Sequence, residues 1–233
     1  MDYNSLLKQN YTTITKACVV EVKKDFYEVV TPKGPIEVSS KLKRIGNSSF
    51  NTSVNLFCGG KMKPSVTCKN VHTIINMHKK NVEEVPEWWK NRFEPEIDLN
   101  DDKSKKPNVM ITPSKRPPQS FPNAFTVPLS DTDITHKTRC ASYLQYFIEN
   151  ASIASHRRFY SNLQTNIHEF HIKRIQLLYL QTTAWGDTLI SESWEDDRSP
   201  LTLHCQISRE QDRTPVWYGC IDLYPVVFGL GFT

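Results

Sequence analysis

From residue 11 to residue 76, apolar and polar positions alternate in short runs rich in β-branched side chains. A period of two puts one face of a strand on a core and the other in water, so these runs predict strands over residues 12–22, 27–31, 36–44, 49–57 and 65–75. Pro32-Lys33-Gly34-Pro35 and Cys58-Gly59-Gly60-Lys61 supply the turn chemistry between them. Residues 85–93, carrying Trp88 and Trp89, predict a short helix, with both tryptophans as core or packing aromatics. Further along the period changes. Cys140, Tyr143, Leu144, Phe147, Ile148, Ala151 and Ala154 recur at helical spacing and predict a helix over 138–158 with one buried stripe, Cys140 being a structural thiol on it. A strand over 124–129 precedes that helix, and strands over 168–180, 188–195, 201–209 and 216–225 follow it.

Between residues 94 and 123 this patterning stops. Asp101-Asp102-Lys103-Ser104-Lys105-Lys106-Pro107 and Lys115-Arg116-Pro117-Pro118 leave few large apolar side chains, a composition that reads as a surface linker. The predicted organisation is a first unit at 1–93, a linker at 94–123 and a second unit at 124–233. The two units follow one plan: a strand, a Pro/Gly or Gly-Asp turn, two long strands, then a last strand after a basic-Pro turn. Lys63-Pro64-Ser65-Val66-Thr67-Cys68 compares with Thr214-Pro215-Val216-Trp217-Tyr218 in the second unit. Only residues 1–11 precede the first predicted strand, too few for an opening strand and a full helix, so residues 1–10 read as the stub of that helix. A shortened helix would leave apolar sheet surface uncovered, and homodimerisation is one remedy.

Composition narrows the function classes. A formal charge of +4, with basic residues scattered among acids, does not make a nucleic-acid footprint. The N-terminus has no basic and apolar leader, and no apolar run is long enough to span a bilayer, so the expected setting is cytoplasmic or an organellar matrix. There the Asn-x-Ser/Thr matches at Asn10, Asn47, Asn51 and Asn150 are coincidental. The six cysteines have no metal-ligand spacing, and His168 and His171, read on a strand, point to opposite faces, so no metal and no cofactor is expected. Arg157-Arg158 and Lys173-Arg174 are basic pairs able to meet an acidic carrier or phosphates.

The densest chemistry lies just before the long helix, in Ser130-Asp131-Thr132-Asp133-Ile134-Thr135-His136-Lys137-Thr138-Arg139-Cys140. Asp133 could orient or deprotonate water, His136 could supply an imidazole, and amides near 137–139 could hold an oxyanion. The plainer reading is that Asp131 and Asp133 cap the helix while His136 faces solvent.

This run, with Tyr143 on the helix, Trp185-Gly186-Asp187-Thr188-Leu189, Arg44-Ile45-Gly46-Asn47 and Val85-Pro86-Glu87-Trp88, resembles the acyl-ACP thioesterase family and, more broadly, hot-dog acyl-CoA thioesterases. The resemblance covers nearly the whole chain and implies an α+β tandem (double) hot-dog fold, two antiparallel sheets each wrapped on a central helix, the first helix truncated. The family's catalytic run is Asp-x-Asp-x-Asn-x-His-x-Asn-Asn-x-x-Tyr. Asp131, Asp133 and Tyr143 match it, whereas Thr135 stands at the first Asn, Lys137 at the His, and Arg139 and Cys140 at the Asn pair. His136 is one residue early, and Thr182 and Thr183 stand where a later acid or thiol is expected. By resemblance the candidate catalytic residues are Asp133, His136, Asp131 and Thr135, and the substrate is a fatty acyl thioester of acyl carrier protein or coenzyme A. The competing expectation is a non-catalytic acyl-binding or scaffold protein that kept the fold and lost the chemistry.

Overall fold

The structure, a computed structural model, describes residues 3–28, 33–97 and 111–225. The chain divides into two compact units, Met1–Ile111 and Thr112–Thr233. The central part of the expected linker, residues 98–110, and the last eight residues lie outside the described residues.

The first unit runs α1 (Tyr3–Lys8), β1 (Tyr11–Val22), β2 (Ile36–Ile45), β3 (Ser49–Cys58), β4 (Val66–Asn76), β5 (Asn81–Val82) and α2 (Glu87–Phe93). Its antiparallel sheet has the order β2-β3-β4-β1, with the short β5 paired to β4. The strand expected over 27–31 does not begin at Tyr27. Lys24–Phe26 forms a single 3-10 turn that Tyr27 closes, and residues 29–32 lie outside the described residues. Leu6 of α1 and Trp89 and Phe93 of α2 are buried with Leu42, Phe50, Ile74 and Val85. The Phe50 and Trp89 rings lie 5.0 Å apart, and those of Trp89 and Phe93 4.8 Å apart. The stub helix is therefore present, and α2 supplies the aromatic cover that α1 is too short to provide. Toward the start of β4 the same face turns polar, because Cys68, Asn70 and His72 are spaced two apart with Ile74.

The second unit runs β6 (Phe121–Thr126), α3 (Cys140–His156), β7 (Ile172–Tyr179), β8 (Thr188–Glu195), β9 (Thr202–Arg209) and β10 (Pro215–Leu223). Its antiparallel sheet has the order β7-β10-β9-β8-β6. Strand for strand, β8-β9-β10-β7 repeats β2-β3-β4-β1, and β6 is the strand that has no described counterpart ahead of α1. The repeated plan read from the turns is thus a repeated topology. His168 proves to lie in a 3-10 turn, Ile167–Glu169, initiated by the Asn166 side chain, which accepts from the His168 amide; the strand starts only at Ile172.

Helix α3 lies over β8, β6 and β10 and buries Tyr143, Phe147, Ala151 and Ala154. Asn150, fully buried, donates to the Ser191 carbonyl at 2.7 Å and to the Phe121 carbonyl at 3.3 Å, and accepts from the Ser193 hydroxyl. That burial removes Asn150 as a glycosylation acceptor in the folded chain. Trp217 stacks on Tyr143 at 6.1 Å, and it can do so because its ring folds back over Gly219, where a Cβ would come within 2.2 Å of the indole. On the opposite face, the Ser114 amide donates to the Tyr218 hydroxyl at 3.1 Å and Arg116 pairs with the buried Glu192. The described tail of the expected linker is therefore held by side chains of the second sheet, and β6 begins at Phe121.

His72 is held between the Thr52 hydroxyl at 3.1 Å and the Thr15 hydroxyl at 3.4 Å, with Phe50 stacked on its ring. Burial depresses its pKa. An imidazole that binds its proton more weakly folded than unfolded contributes stability above the unfolded pKa of about 6.5, and that stability is lost as pH falls through it. Urea denaturation at pH 7.5 and 5.5 should therefore show a smaller pH-dependent loss in His72→Gln than in the parent protein.

Candidate active site

The loop between β6 and α3 holds all four residues singled out from the sequence, but it turns them in different directions. The Asp133 carboxylate accepts from the Thr135 amide at 2.8 Å, the Thr135 hydroxyl at 2.7 Å and the Lys137 amide at 3.1 Å through one oxygen. This closes an Asx-type turn on which His136 takes a positive φ of 59°. The little burial Asp133 has would raise its pKa, yet the bonds from Thr135 and the Lys137 amide, with His136 beside it, outweigh that and hold the carboxyl below its ordinary range. Asp133 and Thr135 are thus in direct contact on an exposed turn.

Asp131 faces the other way and accepts from the Tyr146 hydroxyl at 2.7 Å, one helical turn beyond Tyr143. Burial and that carboxylate together raise the Tyr146 phenol pKa. Neither aspartate caps α3: Arg139 is its N-cap, without a side-chain bond, and the helix starts two residues later than its pattern predicts. His136 is exposed with its ring centroid 6.2 Å from that of Trp185, which is 59% exposed rather than packed in the core. Cys140 opens the helix as an exposed residue instead of a buried one; partial covering of its sulfur, together with the nearby Asp133, raises its thiol pKa.

Two bridges pin the loop in place, Thr132 with Thr138 and Lys137 with Ala184. The amides expected to form an oxyanion hole are occupied: Lys137 donates to the Asp133 carboxylate, Thr138 to the Thr183 carbonyl at 2.9 Å and Arg139 to the Asp131 carbonyl at 3.0 Å. On the far side, Gly186 takes φ +84° in the turn that leads to Asp187. Asp187 accepts from the Ala184 amide at 3.0 Å and from Arg209 at 2.8 Å, which ties this turn to β9.

A buried hydroxyl cluster beneath the loop was not read from the sequence. Thr183 is 1% exposed; its hydroxyl lies 2.6 Å from that of Thr138 and 2.8 Å from that of Tyr143, and its amide donates to Tyr143 at 3.2 Å. Burial raises the Tyr143 phenol pKa against the pull of these bonds. The resemblance had marked Tyr143 and Thr183 separately, but their contact, 40 residues apart in sequence, was not legible. Two surface cavities lie elsewhere: one of about 510 Å³ lined by Tyr11, Ser48 and residues 82–87, and one of about 310 Å³ at the C-terminal end of α3, beside Ser155, His156 and Arg158. No group of three or more metal-ligating side chains forms among the described residues, and no described helix is long and apolar enough to cross a membrane.

Removing the Tyr143 hydroxyl leaves the buried Thr183 amide without an acceptor, a loss of about 1–3 kcal/mol. Tyr143→Phe should therefore lower the urea midpoint clearly. Thr183→Val, which keeps the amide bond to Tyr143 and the side-chain shape, should lower it less.

No family model matches the sequence, and no curated protein sequence matches it. Solved structures do match. The 12:0-ACP thioesterase from Umbellularia californica superposes with a TM-score of 0.73 at 13% identity, over 95% of this chain and 78% of that one. An acyl-ACP thioesterase from Bacteroides thetaiotaomicron does so with a TM-score of 0.69 at 14% identity, over 95% of this chain and 80% of that one. At such low identity the likeness speaks for architecture, and it covers both units in order: the chain has the α+β double hot-dog fold of these thioesterases, with a six-residue helix ahead of the first sheet and a 17-residue helix on the second.

Proposed function

We propose that this protein acts on acyl thioesters, hydrolysing a fatty acyl chain from acyl carrier protein or coenzyme A at the mouth of the second unit. The observation that carries the reading is the extent of the shared fold with two acyl-ACP thioesterases, 95% of the chain in each case. The polar loop ahead of α3 adds to it, because a carboxylate, an imidazole and a helix start are close in sequence and share one turn.

In this reading Asp133 is the group that orients water and accepts its proton. Its ties to Thr135 and Lys137 fix the carboxylate but leave its second oxygen for water. Thr135 positions Asp133, His136 relays a proton to the leaving thiolate, and Asp131 holds the helix register through Tyr146. With the amides of 137–139 engaged, the oxyanion is assigned to the first amides inside the helix, Cys140 and Ala141, since a helix leaves its opening N–H groups without intrahelical partners. The leaving sulfur, protonated through His136, would depart as the thiol of coenzyme A or of the carrier's pantetheine, and the acid would leave as a carboxylate with its proton lost to solvent. In this reading two copies of the chain also pair.

A second reading has its own support. Asp133 is exposed, its pKa is lowered, and it is engaged by its own loop, the state of a structural turn residue rather than of a dry general base. A protein that binds acyl chains without cleaving them would have this loop.

Turnover of palmitoyl-coenzyme A and palmitoyl carrier protein, followed as released fatty acid, separates the two. Hydrolysis by the parent and a fall of roughly a hundredfold or more in kcat/KM for Asp133→Asn support the enzyme. An unchanged rate in that variant removes Asp133 from the mechanism, and saturable binding with no release at any chain length establishes the binder. The pH profile tests the base. A carboxylate held below its usual range predicts a flat rate between about pH 7 and 5, and a rate that falls within that range takes the role away from Asp133.

A further inference from the structure

The seam between β1 and β4 brings two thiols together away from the loop just described. Cys18 lies opposite Asn70, and Val20 opposite Cys68, so the two cysteines are diagonal neighbours on adjacent antiparallel strands. Their sulfurs are 3.6 Å apart, and both residues are half-buried rather than sealed in the core. Cys58, Cys205 and Cys220 are buried, and Cys140 is exposed on the other unit. We propose that Cys18 and Cys68 form a reversible, hydroperoxide-sensitive dithiol, a redox modification site in the first unit.

The geometry needs little movement. The sulfurs must close from 3.6 Å to a bond of about 2.0 Å, which rotation of the two Cβ–Sγ arms supplies when the backbones are already paired. The surroundings also distinguish the two thiols. Cys68 has a second partner, the Asn70 carbonyl oxygen at 3.5 Å, and Asn70 donates to Thr52 at 3.5 Å, which in turn meets His72. A hydrogen bond with Cys18, opposed by burial, lowers the Cys68 thiol to about 7. Cys68 is therefore the attacking sulfur and Cys18 the resolving one.

The steps balance. The Cys68 thiolate attacks the terminal oxygen of a hydroperoxide, the O–O bond breaks, and the departing alkoxide takes the proton Cys68 released, giving an alcohol and a sulfenic acid. The Cys18 thiolate then attacks the Cys68 sulfur, the S–O bond breaks, and hydroxide leaves as water with the proton of Cys18. Two electrons pass from the thiols to the peroxide. A dithiol reductant reverses the result.

The test uses the full chain, reduced and then exposed to hydrogen peroxide, alkylated and mapped by mass spectrometry after proteolysis. The expected product is a peptide of Cys18 linked to a peptide of Cys68 within one molecule, cleared by dithiothreitol and formed roughly tenfold faster than any oxidation at Cys58, Cys205 or Cys220. Its rate should fall as pH drops below about 7. In Cys18→Ser a sulfenic-acid trap should label Cys68, and Cys140→Ser should leave the link unaffected. Oxidation confined to Cys140, links only between molecules, or no Cys18–Cys68 link in the parent protein would overturn the proposal, and none of these outcomes depends on whether the second unit hydrolyses thioesters.

Discussion

The second unit is organised by the need to bury one long helix on a sheet without stranding its polar groups. Helix α3 carries a tyrosine, a second tyrosine and an asparagine on the face it hides, at 143, 146 and 150. Each has one set of partners that fits: Tyr143 with Thr183, Tyr146 with Asp131, and Asn150 with the carbonyls of Phe121 and Ser191. Sliding the helix by one turn would break all three at once, each loss leaving a buried donor or acceptor unpaired at about 1–3 kcal/mol. Apolar contacts from Phe147 or Ala151 supply much of the driving force but would tolerate several registers. The polar anchors select one. The position of the loop at 129–139, and so the placement of Asp133 and His136, follows from that choice.

The first unit meets the same requirement with less helix. Six residues of α1 bring one fully buried leucine to the core, and α2 brings Trp89 and Phe93. The part of the face these do not reach has a row of small polar and thiol side chains that bond to one another, Cys68, Asn70, Thr52, His72 and Thr15. A row of that kind needs no apolar cover, which explains how the shortened helix is tolerated. It also concentrates titratable and oxidisable groups on one strand face, a feature an aliphatic sheet would lack.

What was legible in the sequence divides along the range of the interactions involved. Strand β8 falls at 188–195, as its pattern predicts, and the two units share one strand order, in keeping with the matching turns at Lys63-Pro64 and Thr214-Pro215. Boundaries slipped where a side chain changed the local backbone. Asn166 turns 167–169 into a 3-10 segment, and the bridges at Thr132–Thr138 and Lys137–Ala184 hold 137–139 extended, so α3 starts at Cys140. The Asx turn at Asp133 is a local pattern and could have been read from Asp-x-Thr spacing. The hydroxyl cluster was legible only in part: the resemblance marked Thr183 as standing at a later site position, but its bond to Thr138, 45 residues away, has no local pattern.

The same division bears on the chemistry. A catalytic loop works when its donors and carboxylate are aimed at a substrate rather than at each other. Here the amides of 137–139 point into the loop and sheet, and Asp133 accepts three bonds from its own turn. That arrangement is rigid, and rigidity suits a positioned water as well as it suits a plain structural turn. The difference lies in the second carboxylate oxygen and in the first amides of α3, the groups the turn leaves uncommitted. In the proposed reading, hydrolysis through this loop runs on those groups, with the substrate carbonyl brought to the start of the helix and not to the amides ahead of it.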